Sequence, residues 1–250
     1  MPAYESLAPV DADIDVSAGH VEVVASDRAD TTVEVAPTNP GRSGDVSLAR
    51  EATVAFENNR LRVRVPPRVR LLGPSGSVDV RIELPTGSRA EIESAYGSVR
   101  LRGEFGTTRI VAKYGNVSAD RVGDLVLVSP HGEVDIAEVD GRLDVTAAHG
   151  HVRIGRIAGA ARLRGSHGTL TLGTTEAEGG ILRLENGYAE VEVGVPDGVV
   201  AWVDASSAHA AVRNELTPGP EAAGTDRTIE LHLRANWGDV LIRRAARRSA

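Results

Sequence analysis

His131-Gly132-Glu133-Val134 is answered by His149-Gly150-His151-Val152 and again by His167-Gly168-Thr169-Leu170. Each tetrad has a ring residue, a glycine, a variable residue and an apolar residue. Upstream the same form appears at Tyr96-Gly97-Ser98-Val99 and Tyr114-Gly115-Asn116-Val117. Downstream it loosens through Asn186-Gly187-Tyr188-Ala189 and Ser207-Ala208-His209-Ala210, then closes at Trp237-Gly238-Asp239-Val240. From Gly97 to Gly187 the glycines fall 18, 17, 18, 18 and 19 residues apart. A short fixed period marks a repeat architecture, in which a unit buries its apolar face only by stacking on its neighbours.

A second half-motif lies between the tetrads, at Gly123-Asp124-Leu125-Val126-Leu127 and Gly141-Arg142-Leu143-Asp144-Val145, with a looser copy at Gly159-Ala160-Ala161-Arg162-Leu163. Each period therefore holds two short alternating segments, read as half-buried strands. The alternation turns Val152 and Ile154 inward on one strand and Ala161 and Leu163 on the next, with Ile157 in the bend. Small inward residues such as Ala147 and Gly165 suit a narrow coil. A glycine at constant phase implies a corner where φ is positive or the backbone passes close to its neighbour. The predicted fold is all-β: a parallel β-solenoid, β-helix-like, of about 18 residues per coil, with less regular β segments at both ends.

Outside the regular repeats the pattern is still strand-like. Alternation recurs over 13–16, 20–24, 32–35, 60–65 and 78–84. Turn chemistry marks 37–44 as a loop, and prolines and glycines break the chain at 66–67 and 72–76. The expected organisation is an N-terminal β region over 1–90 capping the solenoid and regular coils over 91–195. A C-terminal β region over 196–250 follows, with an inserted loop at 214–226 and a basic tail from Arg243. Val195-Pro196-Asp197-Gly198 echoes Leu84-Pro85-Thr86-Gly87.

The segment Val80-Arg81-Ile82-Glu83-Leu84-Pro85-Thr86-Gly87-Ser88, the serial half-repeats and the closing Trp237-Gly238-Asp239-Val240-Leu241-Ile242-Arg243-Arg244 together resemble the bacterial DUF4097 β-strand-repeat family. The resemblance spans roughly residues 10–245. It implies a solenoid-like β fold with no catalytic residues to carry over; some members bear an adhesin label.

Composition removes several chemistries. The 250 residues include no cysteine, so disulfides, thiolate metal sites and cysteine nucleophiles are excluded. A net charge of -7 opposes broad phosphate binding, so nucleic acid is not an expected partner. Aromatics make up 3% of the chain, too few for an extended stacking platform for sugars or bases. No apolar run is long enough to span a bilayer, and residues 1–15 lack a basic segment followed by an apolar one. The expected address is the cytoplasm, with no membrane partner.

One constellation invites a site reading. Stacked coils bring the residues before the repeat glycines into a column: Tyr96, Tyr114, His131, His149, His167, Asn186 and Ser207. The column can be a structural corner of stacked rings. It can be a metal site with His131, His149 and His167 as ligands, or a proton-sensitive device destabilised in acid. Carboxylates cluster at Asp120, Asp124, Glu133, Asp135, Glu138, Asp140 and Asp144, beside Arg121, Arg142, Arg153 and Arg156. Ser166 and His167, adjacent on a strand, should face opposite ways, and no Gly-x-Ser-x-Gly elbow or phosphate-binding loop occurs. No catalytic residue, cofactor or resident metal is expected.

The expected function is a non-enzymatic scaffold or protein-interaction module, with Tyr96, Tyr114, Trp202 and Trp237 as contact residues. Its expected partners are another protein or a second copy meeting it through the solenoid ends. Alternatives are an enzyme acting on a small molecule or glycan, through the histidine column or the acidic coils, and a surface adhesin.

Overall fold

The computed structural model describes residues 3–67, 69–70, 73–74, 76–175, 180–216 and 227–245. Most of the expected 214–226 loop, part of the 72–76 break and the basic tail beyond Ala245 lie outside the described residues. The chain divides into two compact units, residues 1–132 and 133–250.

The first unit contains β1 (Ala3–Glu5), β2 (Asp11–Val16), β3 (Gly19–Ser26), β4 (Asp30–Pro37), α1 (Ser43–Glu51), β5 (Thr53–Glu57), β6 (Arg60–Val65), β7 (Val69–Arg70), β8 (Gly73–Pro74), β9 (Val78–Pro85), β10 (Arg89–Tyr96), β11 (Val99–Phe105), β12 (Thr108–Tyr114), β13 (Val117–Val122) and β14 (Leu125–His131). One sheet runs β1-β4-β9-β3-β11-β13 and the other β14-β12-β10-β2-β6-β5. The coil pairings are parallel, as in Ile92 with Ile14 and with Ile110, and β11 slips by one residue against β13 between Leu101 and Glu104. Antiparallel strands stand only at the outer positions: β4 on β9, β1 on β4 and β5 on β6. β7 and β8 form a separate antiparallel pair.

The second unit contains β15 (Val134–Val139), β16 (Leu143–His149), β17 (Val152–Ile157), β18 (Ala161–Arg164), β19 (Leu170–Thr175), β20 (Ile181–Asn186), β21 (Val191–Val195), β22 (Val199–Ser207), β23 (Val212–Asn214), β24 (Arg227–Ala235) and β25 (Val240–Arg244). Its sheets run β15-β17-β19-β21-β25-β23 and β22-β24-β20-β18-β16, with parallel pairing throughout the described ladders. The chain is an all-β, mostly parallel solenoid, as the period and alternation predict.

Alternation builds the core directly. In β15 and β17 the inward row Val134, Ile136, Val152 and Ile154 is buried while Asp135 and Arg153 face out. The bend residue Ile157 is itself buried at the end of β17. Near the glycine corner the coil narrows, and the inward residue two places before each ring is small: Ser94, Ala112, Ser129, Ala147 and Gly165. The expected glycine corner is realised in both senses. Gly97, Gly115, Gly132, Gly150 and Gly168 all have positive φ, between +111° and +146°. The Pro-x-Gly echo is also structural, since Gly87 and Gly198 adopt φ of 78° and 77°.

Two features depart from the sequence reading. Turn chemistry over 37–44 masks a helix, and Ser43 and Gly44 already belong to α1. Its Leu48 is buried, and α1 packs against β4, β6 and β9. Asp45, 1% exposed, accepts hydrogen bonds from the backbone N–H groups of Asn39 (3.0 Å) and Ser77 (3.2 Å). The coils also do not stack in chain order. The first coil, β2–β3, lies between the β10–β11 coil and β6 with β9. The last coil, β24–β25, is inserted between β20–β21 and β22–β23. Each of these coils, the first and the last along the chain, thus gains a neighbour on both edges.

Candidate functional site

Parallel in-register pairing places equivalent side chains one coil apart, about 4.8 Å. At the glycine corner that spacing lets flat rings stack. In the first unit Tyr96 lies on Tyr114 with centroids 5.1 Å apart and planes 7° apart, and Tyr114 lies on His131 at 4.9 Å and 2°. In the second unit His149 stacks on His167 at 4.9 Å and 18°, and His167 on Tyr188 at 4.6 Å and 14°. All six residues are exposed. Each ring has at least one face covered by a neighbouring ring, and Tyr114 and His167 each lie between two.

The column differs from its sequence-predicted membership at its later positions. Asn186 does not join it. Its side chain is buried, with Nδ2 donating to the carbonyls of Gly168 (3.0 Å) and Ala189 (2.9 Å). It fits because Gly165 carries no Cβ; a Cβ there would stand 2.8 Å from Asn186 Oδ1. The ring at that level comes from Tyr188, on the far side of Gly187. Ser207 also leaves the column, its Oγ donating to the Gly238 carbonyl at 2.9 Å. Near it His209 stacks on exposed Trp237 at 3.9 Å. The signal available in sequence was the inversion of ring and glycine order, from His-Gly to Gly-Tyr.

Stacking bears on the metal candidates His131, His149 and His167. Imidazole lone pairs lie in the ring plane, so near-parallel stacked rings direct them side by side rather than toward one point. Among the described residues no group of three His, Cys, Asp or Glu side chains is placed to hold a metal ion. His151 accepts a hydrogen bond from the Thr169 N–H at its Nδ1, 3.1 Å.

Ser166 and His167 do not face away from each other as strand alternation predicts. Ser166 lies in the turn beyond β18, and its Oγ is 3.1 Å from His167 Nδ1. The His167 ring is held between two other rings, and among the described residues no carboxylate bonds to it. In the acidic coils, Arg156 binds Glu138 at 3.2 Å and Asp140 at 3.0 Å, and Arg121 binds Glu104 at 3.2 Å. These pairs form a cross-strand charge mesh.

The first unit has a cleft of about 440 Å³ lined by His20, Glu22, Glu34, Asp79, Arg81 and Arg100. Several of its polar groups are already joined: His20 Nδ1 to Ser98 Oγ at 2.8 Å, Arg81 to Glu22 at 2.6 Å, and Thr38 Oγ1 to Asp79 at 2.9 Å. On the opposite sheet Arg64 donates to Asp13 at 2.7 Å and holds that carboxyl below its usual range, against the opposing effect of partial burial. Glu83 is lowered chiefly by its hydrogen bond from Arg28, then by Arg81.

No family model matches the chain, and no curated protein matches it. Solved structures of low similarity do. One, named "putative adhesin", from Bacteroides fragilis, is 13% identical, covers 97% of this chain and 95% of its own, and has a TM-score of 0.48. A cell adhesion protein by name from Clostridium sporogenes is 11% identical over 97% and 98%, with a TM-score of 0.30. A Parabacteroides distasonis protein also named as an adhesin is 11% identical over 96% and 96%, with a TM-score of 0.33. Among the described residues no helix is long and apolar enough to cross a membrane.

Proposed function

We propose that this chain is a non-enzymatic β-solenoid interaction module whose contact surface is the stacked-ring corner. The observation that carries the reading is where the rings are spent. Three of the four tyrosines stand exposed in the columns, while Val, Leu, Ile and Ala fill the core. Stacking pre-orders each ring, which lowers the entropy lost on binding. The exposed edges offer hydrogen-bonding groups in a row, which suits a protein surface better than the face of a sugar.

Catalysis finds less support. Two of the coil carboxylates, Glu138 and Asp140, are engaged by Arg156, and the Ser166–His167 contact has no described acid behind it. A surface adhesin would use the same corner, and its distinguishing feature is location. Fractionation of the native cell decides between the cytoplasmic module and the adhesin.

The contact surface is tested by affinity capture from the native lysate with wild-type chain and a Tyr96→Ser/Tyr114→Ser/Tyr188→Ser variant. A specific protein retained by the wild type and lost by an equally stable variant supports the reading. Identical capture by both overturns it.

A further inference from the structure

The coil that ends the stack in the second unit is β22–β23, and its outer edge carries no strand among the described residues. β22 is nine residues long and pairs only with β24, from Val199 with Arg227 to Ser207 with Ala235. Parallel pairing fixes which side chains point inward. Ala201, Val203 and Ala205 lie level with Ile229, Leu231 and Leu233. The β24 residues are fully buried, whereas the three on β22 are only half-buried. Trp202 stands outward, 57% exposed.

Natural edge strands are guarded by lysine, proline, bulges or covering elements. β22 reads Val-Val-Ala-Trp-Val-Asp-Ala-Ser-Ser and has no basic residue and no proline. Its single charge, Asp204, is taken up within the unit by Arg234 at 2.5 Å. The first unit is different, since α1 packs Leu48 beside its outer strands. An edge unguarded among the described residues, with an open apolar row, calls for another strand of matching pattern, and the chain's own β22 has that pattern.

We propose that β22 pairs antiparallel with β22 of a second copy, forming a two-fold dimer. A two-fold axis normal to the sheet keeps inward side chains inward and makes the contact self-complementary. Centred on Val203, it sets Ala201 opposite the partner subunit's Ala205 and Trp202 opposite the partner subunit's Asp204. The same axis brings the short β23 edges together on the second sheet. The dimer closes, because each copy presents this edge once. The surface is separate from the ring corner, so the two proposals stand or fall independently.

The chain's lack of cysteine gives a clean test. Residues facing each other across an antiparallel pair have Cα atoms about 4.5–5.5 Å apart, within disulfide reach. Light scattering of the full chain should show a dimer that Val203→Lys converts to a folded monomer. Val203→Cys should cross-link to a covalent dimer under mild oxidation, while Val126→Cys, exposed in the first unit, should not. A monomeric wild type, growth into species longer than a dimer, or equal cross-linking at both cysteines would each overturn the proposal.

Discussion

The carbonyl oxygen of Gly97 occupies the space in which Gly115 would carry a Cβ, 1.9 Å from that position. Gly115 also holds φ at +146°. Gly115→Ala should therefore destabilise the chain by at least about 2 kcal/mol, combining backbone strain with displacement of the neighbouring coil. Gly198→Ala is the control: φ is +77°, but beyond its chain neighbours no atom lies within 4 Å of the Cβ position. Its cost should be only about 1 kcal/mol, the left-handed penalty alone. Urea midpoints of the two variants check the ordering, and equal values would show that coil contact adds nothing.

Asp45→Ala should loosen the α1 plug. The substitution removes the shared acceptor of the Asn39 and Ser77 amides in a buried site. A loss of about 3 kcal/mol follows from two charge-assisted bonds and the amides left unpaired. Asp45→Asn should lose less, because one carbonyl acceptor remains. Hydrogen exchange should report the change first around residues 39–51 and 76–78.

Truncation after residue 226 should cost two coils. Among the described residues β22 and β23 pair only with β24 and β25, so removing the last coil strips both of their ladder partners. Residues 199–214 should become rapidly cleaved by protease while 134–195 stay protected. Continued protection of 199–214 would mean that coil β22–β23 re-docks on β20–β21.

Acid should weaken the fold through paired carboxylates. Asp13 and Glu83 bind protons less readily folded than unfolded, because Arg64 and Arg28 respectively stabilise their ionised forms. Their contribution is complete above the unfolded carboxylate range, at about pH 4, and fades as pH falls through the lowered folded values. Asp13→Asn should lower stability at neutral pH and make the decline below about pH 4 shallower. Parallel acid limbs for variant and wild type would remove Asp13 from the account.

The stacked rings predict a modest energetic role. Tyr114 is half-exposed between Tyr96 and His131. Tyr114→Ser should cost about 1–2 kcal/mol, the scale of ring pairs lost at a wet surface. A much larger loss in thermal unfolding would make the column a structural pillar first.

Much of this was readable in advance for local reasons. Alternation is a two-residue property, so Val152, Ile154 and Leu163 point inward whatever lies around them. The repeat glycines are likewise local, since each relieves a contact one coil away at constant spacing. Asn186 and Tyr188 were less readable, because the exchange of roles depends on the space left by Gly165 in the coil below. α1 was hidden because its support is one buried leucine and an aspartate bonded to amides six and 32 residues distant.

By itself the sequence determined the strands, the inward rows, the corner and the length of each coil. Only the tertiary structure decided the order in which coils stack. It set β2–β3 inside its stack and inserted β24–β25 between two earlier coils. The reason is physical: every coil offers its neighbours nearly the same ladder of amides and carbonyls and the same apolar rows. Local pattern cannot rank such equivalent edges, so the choice falls to the arrangement that covers the most edge and core in the whole chain.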